Sequence, residues 1–165
     1  GSIFVQQFAA KAKSNWSVFN VPYIVQDPKL KGMLYQEPQI TRHIRLFEEL
    51  NVALIAVGSS NPKRSVTYLS GYLTLEETEK LAESGMGADL CGTRLSADGK
   101  ICNTCLTNRV LTIDLMDLRK LSEVCAVGAG SEKACSFIAG CKGGFIKKVI
   151  MDEVCALTII KELGG

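Results

Sequence analysis

Apolar and polar positions along this chain fall into blocks whose period switches between that of a helix and that of a strand. Ile3–Ala12 carries apolar residues at helical spacing, and Trp16–Val21 reads as a short strand stopped by Pro22. Asp27-Pro28 and Glu37-Pro38 each open a helix, because proline's fixed φ and missing N–H suit the first helical position. The second of these helices runs to about Leu50 and offers Ile40, Ile44, Leu46, Phe47 and Leu50 as a core face.

Val52–Val57 is a continuous apolar run ending in Gly58-Ser59-Ser60, the pattern of a strand buried on both faces of a parallel sheet. Thr74-Leu75-Glu76-Glu77 forms a capping box, and Gly85 ends the helix it starts. Gly87–Gly92 predicts a short strand or turn, and Asp98-Gly99 a hairpin between two extended pieces. A strand at Val110–Ile113 and a short helix at Asp117–Leu121 follow. Glu123–Val127 is a second apolar strand, closed by Gly128-Ala129-Gly130-Ser131 and followed by a helix from about Glu132 to Cys141. Lys148–Met151 is the last strand, Asp152-Glu153 stands at its carboxyl end, and Val154–Leu163 is the last helix. Strands alternating with helices predict an α/β domain, a Rossmann-like three-layer sandwich around a mostly parallel sheet. In such sheets ligands bind where strands end and helices begin, and the glycines and small polar residues here cluster at those ends.

Composition narrows the picture without changing it. With 165 residues, 47% hydrophobic and 22% charged, the chain matches one globular domain rather than a disordered or fibrous segment. Its longest apolar run is far short of the roughly 20 residues of a membrane helix. The 19 basic and 17 acidic residues are interspersed, so no face concentrates the cations that holding a DNA backbone requires. Seven cysteines, an odd number, argue against a disulfide framework, and the expected setting is the reducing cytoplasm.

Five groups of residues bear on chemistry. Gly128-Ala129-Gly130-Ser131-Glu132-Lys133 joins an apolar strand to a helix; free N–H groups at the helix start, with Lys133, form an anion site, or else an ordinary turn. Asp89, among small and apolar neighbours, needs hydrogen-bond donors if buried; sugar hydroxyls suit it, and so does its own backbone. Asp152 is expected to cap the helix behind it. Gly58-Ser59-Ser60-Asn61-Pro62, with Ser65, Thr67 and Ser70, is either a polar pocket wall or a solvated loop. Cys102-Asn103-Thr104-Cys105 is half a zinc site with no second half, so neither a metal nor another cofactor is expected. His43, the lone histidine, has no neighbours that make a nucleophile–base pair, which counts against an isomerase or deaminase reading.

Ser70-Gly71-Tyr72-Leu73-Thr74, Glu77, Gly85–Gly92, Asp98-Gly99, Asp114–Leu118, Gly128–Lys133-Ala134, Asp152-Glu153 and Ala156 occur in an order and spacing that resembles the sugar-binding domain of the SorC family of bacterial transcription regulators. The resemblance spans nearly the whole chain and is strongest from about Asn51 to Leu163. It implies a fold like that of sugar-phosphate isomerases and deaminases, a phosphorylated-sugar effector, and self-association as dimer or tetramer. It further implies that DNA is read by an N-terminal helix-turn-helix absent from this chain, and that residues 1–165 are a partial effector domain without the family's first strand–helix unit. Carried over, it makes Asp89 a contact to sugar hydroxyls and Lys133 a contact to the phosphorylated ligand. Gly58, Ser59, Gly128, Gly130 and Ser131 line the same expected site. Two stretches depart from the family: Ala129 stands where glycine is common, and Met86-Gly87-Ala88 replaces Ala-Val-Gly.

Overall fold

A computed structural model describes residues 2–85 and 87–164; Met86, within the Gly85–Gly92 segment, lies outside the described residues. Three helices come first, α1 (Ser2–Ala12), α2 (Pro28–Gln36) and α3 (Pro38–Glu48). The two prolines sit where expected, and Asp27 caps α2 by accepting the Lys29 N–H at 2.9 Å. Strand β1 (Val52–Ala56) follows, then a 3-10 turn at Pro62–Arg64 and the short helix α4 (Val66–Leu69). Next come α5 (Leu75–Glu83), β2 (Ala88–Leu90), β3 (Thr93–Leu95) and α6 (Leu115–Lys120). The chain closes with β4 (Glu123–Gly128), a 3-10 turn at Ser131–Lys133, α7 (Ala134–Lys142), β5 (Lys148–Met151) and α8 (Glu153–Glu162).

β1, β4 and β5 form a parallel sheet in the order β1-β4-β5, with Ala53 opposite Val124 and Ala126 opposite Val149. This is the α/β, parallel-sheet architecture expected from the pattern. One face carries the main core: Val124 and Ala126 are fully buried beneath Phe137 and Ala134 of the α7 side, with Leu90, Leu115, Leu118 and Cys155 around them. The other face is open, and Leu54 and Ile150 are 68% and 57% exposed.

β2 and β3 make a separate antiparallel hairpin whose turn is Cys91-Gly92, both at positive φ, the geometry that matches strand twist in two-residue hairpins. Gly92 is required there for a second reason, since an added Cβ would come within 2.5 Å of the Tyr23 hydroxyl. A single bridge from Val57 to Leu90 ties the hairpin to the end of β1. A smaller cluster of Ile24, Leu73, Leu81, Leu106 and Val110 packs beneath the long loops.

Three expected elements are corrected, and one expected turn forms with little strand pairing around it. Trp16–Val21 is irregular rather than a strand, because Phe19 stacks on His43 at 5.0 Å and meets Phe47 edge-on, which draws the segment onto α3. Val110–Ile113 shrinks to one bridge between Val110 and Ile24. The Asp98-Gly99 turn does reverse the chain, through the Ser96–Lys100 hydrogen bond and a single bridge from Leu95 to Ile101. The short helix begins at Leu115, earlier than the pattern placed it, because Asp114 caps it by accepting the Met116 N–H at 2.7 Å.

Candidate functional site

The parallel order of β1 and β4 sends both strands' carboxyl ends to the same edge, and three chain segments meet there. The end of β1 continues as Val57-Gly58-Ser59, the hairpin contributes Asp89, and the turn after β4 contributes Gly128–Lys133. Gly58 donates its N–H to the Asp89 carbonyl at 2.9 Å, and a Cβ on Gly58 would come within 2.4 Å of the Asp89 side chain, so only glycine allows this approach. Lys133 reaches across from the start of α7 and donates from Nζ to the Val57 carbonyl at 3.1 Å. The two residues expected to hold opposite ends of a ligand thus lie on either side of the same dipeptide, Val57-Gly58. Ser59 is buried nearby and accepts the Asn61 N–H at 3.1 Å.

The loop after β1 is stitched to the turn after β4. Ser60 donates both its N–H and its hydroxyl to the Glu132 carbonyl, at 2.9 and 3.0 Å. The Arg64 guanidinium lies 2.7 Å from the Glu132 carboxylate and holds that carboxyl below its ordinary range.

The glycine turn is partly occupied by the protein itself. Gly130, at φ +95°, donates its N–H to Asp152 Oδ1 at 3.0 Å, and the same oxygen caps α8 by accepting the Cys155 N–H at 3.0 Å. Those two N–H groups hold the Asp152 carboxyl below its usual range. Capping was the expected role of Asp152; its grip on Gly130 was not visible in the sequence. Gly128 has a packing reason: a Cβ there would press on Val57 at 2.8 Å and on Phe137 at 3.1 Å. Ser131 is exposed at the head of the turn.

Asp89 is buried in a polar cluster. Its Oδ1 accepts the Gly92 N–H at 3.0 Å, and its own N–H donates to the buried Ser136 hydroxyl at 3.0 Å. Across the hairpin register stands Arg94, whose Nη2 lies 3.8 Å from Asp89 Oδ2. Burial pushes the Asp89 carboxyl above its usual range, against the pull of Arg94, the Gly92 N–H and Lys133 toward the charged form. Burial also raises the neighbouring Tyr23 hydroxyl and the Cys91 thiol, the latter to about 11, with the Asp89 charge adding to both.

Arg94 is the residue the sequence reading missed. It is 3% exposed, and its Nη2 donates to Ser65 Oγ at 3.3 Å and Thr67 Oγ1 at 3.2 Å, two hydroxyls that bond each other at 2.7 Å. The available signal was a lone arginine between Leu90 and Leu95 in an otherwise apolar extended stretch. Ser65 and Thr67, expected as pocket wall, prove to be buried partners of that arginine.

A cleft of about 300 Å³ opens between α2–α3 and the 92–115 segment, lined among others by Lys31, Tyr35, Phe47, Arg94 and Asp114. None of the residues expected at the ligand site lines it, whereas Arg94 does. Among the described residues no group of three or more His, Cys, Asp or Glu is placed to hold a metal ion. Among the described residues no helix is long and apolar enough to cross a membrane.

Comparison with known proteins agrees with this architecture. Residues 3–161 match the Sugar-bind family model, described as "Putative sugar-binding domain". The deoxyribonucleoside regulator of Bacillus subtilis (strain 168) is 26% identical over 159 residues, covering 96% of this chain and 50% of the relative. A transcriptional regulator from Streptococcus pneumoniae TIGR4 superposes with a TM-score of 0.87 at 19% identity, over 99% of this chain and 62% of that one. The full-length sorbitol operon regulator SorC from Klebsiella pneumoniae gives a TM-score of 0.81 at 21% identity, over 92% of this chain and 48% of that one. The chain spans about half the length of the curated relatives it matches. It belongs to the Sugar-bind family, the sugar-binding domain found in transcription regulators of the SorC type.

Proposed function

We propose that this chain is the effector-binding and self-association module of a transcription regulator, that its effector is a phosphorylated sugar, and that Asp89 and Lys133 contact opposite ends of it. One observation carries the reading: the Asp89 carboxylate and the Lys133 ammonium flank Val57-Gly58 at the carboxyl end of β1, where ligands of parallel α/β sheets bind. Lys133 supplies charge for an anionic group, and Asp89 an acceptor for hydroxyls. Gly58, Ser59 and the Gly128–Ser131 turn bring backbone within reach of a ligand. Gly130 takes part only if its N–H is shared between Asp152 and the ligand.

The same proposal places operator binding in a part of the regulator beyond these residues, in the cytoplasm, with the sugar favouring one arrangement of associated subunits over another. It is a proposal of binding rather than turnover. At this site Lys133 is engaged by the Val57 carbonyl and, among the described residues, is paired with no base for proton transfer.

Titration calorimetry of the chain against ribose 5-phosphate, 2-deoxyribose 5-phosphate, sorbitol 6-phosphate and fructose 1,6-bisphosphate tests the reading. Binding of at least one, weakened on the order of tenfold or more by Lys133→Ala, is the expected result, since a hydrogen bond to a charged group carries about that much. No binding across the panel, or binding indifferent to Lys133→Ala, overturns the site.

A further inference from the structure

Arg94 is built into the protein in a way its own contacts do not complete. A guanidinium carries five N–H donors in a rigid plane and cannot shed its charge. Here Nη2 is spent on the Ser65–Thr67 hydroxyl pair. The Nε–H is buried and has no hydrogen-bond partner among the described residues. Among the described residues the carboxylate that stands within 4 Å of this charge, Asp89, is 3.8 Å away, outside hydrogen-bond distance. Asp89 in turn has only Oδ1 engaged at hydrogen-bond distance, by the Gly92 N–H at 3.0 Å.

The pair is therefore neither a closed salt bridge nor two separate groups. The hairpin register sets Asp89 opposite Arg94, and the Ser65–Thr67 pair holds the guanidinium through Nη2. The Asp89 side chain keeps 11% of its surface in contact with solvent, against 3% for Arg94, and Arg94 also lines the cleft beside α3. A buried donor without a partner is unfavourable, so a group that supplies the partner binds more tightly for doing so.

We propose that Arg94 is a specificity-determining residue of the effector site: with Asp89 it recognises one free hydroxyl of the ligand, whose oxygen accepts from the guanidinium and whose proton is donated to Asp89 Oδ2. The inference rests on the effector reading above and adds to it the chemistry being read. A single O–H is both acceptor and donor. A deoxy carbon supplies neither, and an ether or ketone oxygen supplies no proton. Sites that bury polar groups for a hydroxyl reject analogues lacking it far more strongly than apolar pockets reject a methylene. The 3.8 Å from Nη2 leaves Asp89 Oδ2 outside direct hydrogen-bond distance of the guanidinium, so Oδ2 and the unpartnered Nε–H are the two groups a ligand hydroxyl would engage.

The test is calorimetric titration of the wild-type chain, Arg94→Lys and Asp89→Asn with matched hydroxy and deoxy sugar phosphates. Ribose 5-phosphate is set against 2-deoxyribose 5-phosphate, and glucose 6-phosphate against its 2-, 3- and 4-deoxy forms. Lysine keeps the charge and loses the planar fork, and asparagine keeps the shape and loses the charged acceptor. The expected result is that for one pair the wild type prefers the hydroxy form by on the order of tenfold or more, a single charge-assisted hydrogen bond being worth about that much. Each variant should shrink that preference. Circular dichroism checks that each variant is folded, and Arg94→Gln takes the place of Arg94→Lys if that variant is not. Sugar phosphates bound with an unchanged hydroxy preference in a folded Arg94 variant overturn the role of Arg94 and leave the effector reading standing. Wild-type chain that binds none of them removes the reading, and this inference with it.

Discussion

The two faces of the β1-β4-β5 sheet are written in much the same alphabet and meet different fates. On one face Val124 and Ala126 are sealed under Phe137 and the α7 layer; on the other Leu54, Val127 and Ile150 face outward. Strands apolar on both sides are what a sheet covered on both sides requires. Side-chain chemistry therefore says that a position belongs inside, but not what covers it. Covering is a property of a partner element, and the described residues supply one for a single face. The candidate site lies at the carboxyl edge of this sheet, where Phe137 and Val57 fill the space a Cβ on Gly128 would need.

Substitutions can measure this asymmetry. Phe137→Ala on the covered face should give the largest loss, about 3–5 kcal/mol of unfolding free energy by urea titration, because it combines lost burial with an unfilled cavity. A loss under about 1 kcal/mol would mean that this core is loosely packed. Gly128→Ala at the edge of the same face should cost about 1–3 kcal/mol, since its methyl would strike Val57 and Phe137 with little room to shift. Measured beside Phe137→Ala, it separates strain from cavity: the double variant should cost less than the sum, as the missing ring makes room.

The third prediction concerns pH. Asp89 has its carboxyl raised by burial, so its folded pKa lies above its unfolded value of about 3.9. Its contribution to stability is then full below that value and is lost as pH rises through the folded pKa. Asp89→Asn cannot ionise and escapes the loss. The stability of Asp89→Asn relative to wild type should therefore climb as pH rises from about 4 in paired denaturation curves. A flat or falling difference would reverse the sign of the shift. Leaving Arg94 without its carboxylate adds an offset, but not a slope, because arginine stays charged throughout.

The smallest effect is expected on the open face. Leu54→Ser should change the unfolding free energy by no more than about 0.5 kcal/mol, as at other exposed positions. A loss several times larger, accompanied by a slower-sedimenting species in the variant, would show that Leu54 is covered in solution by another copy of the chain.

Much of the architecture could be read locally. The runs at Val52–Val57, Glu123–Val127 and Lys148–Met151 announce strands, and the Thr74–Glu77 capping box forms with both its hydrogen bonds, at 2.7 and 3.1 Å. Asp152 caps α8 as its position foretold. One failure is local, the Asp114 cap that starts α6 earlier than the apolar pattern indicates; the others involve a partner far away in sequence. Trp16–Val21 has strand-like residues, but Phe19 finds a better partner in His43 than any neighbouring strand offers. Arg94 looks like an ordinary charge in a hairpin until the fold closes Ser65, Thr67 and Asp89 around it.

By itself the sequence determined what neighbouring residues decide among themselves, namely the period of each segment, the caps that start its helices and the turns that need glycine. These involve interactions within a few residues, where chain connectivity already holds the groups together. Only the tertiary structure decided that Lys133 spans to the carbonyl of Val57, that Asp152 takes up the N–H of Gly130, and that one sheet face is covered and the other is not. Those pairings join residues tens of positions apart, and no local pattern encodes a distance that arises only when the whole chain packs.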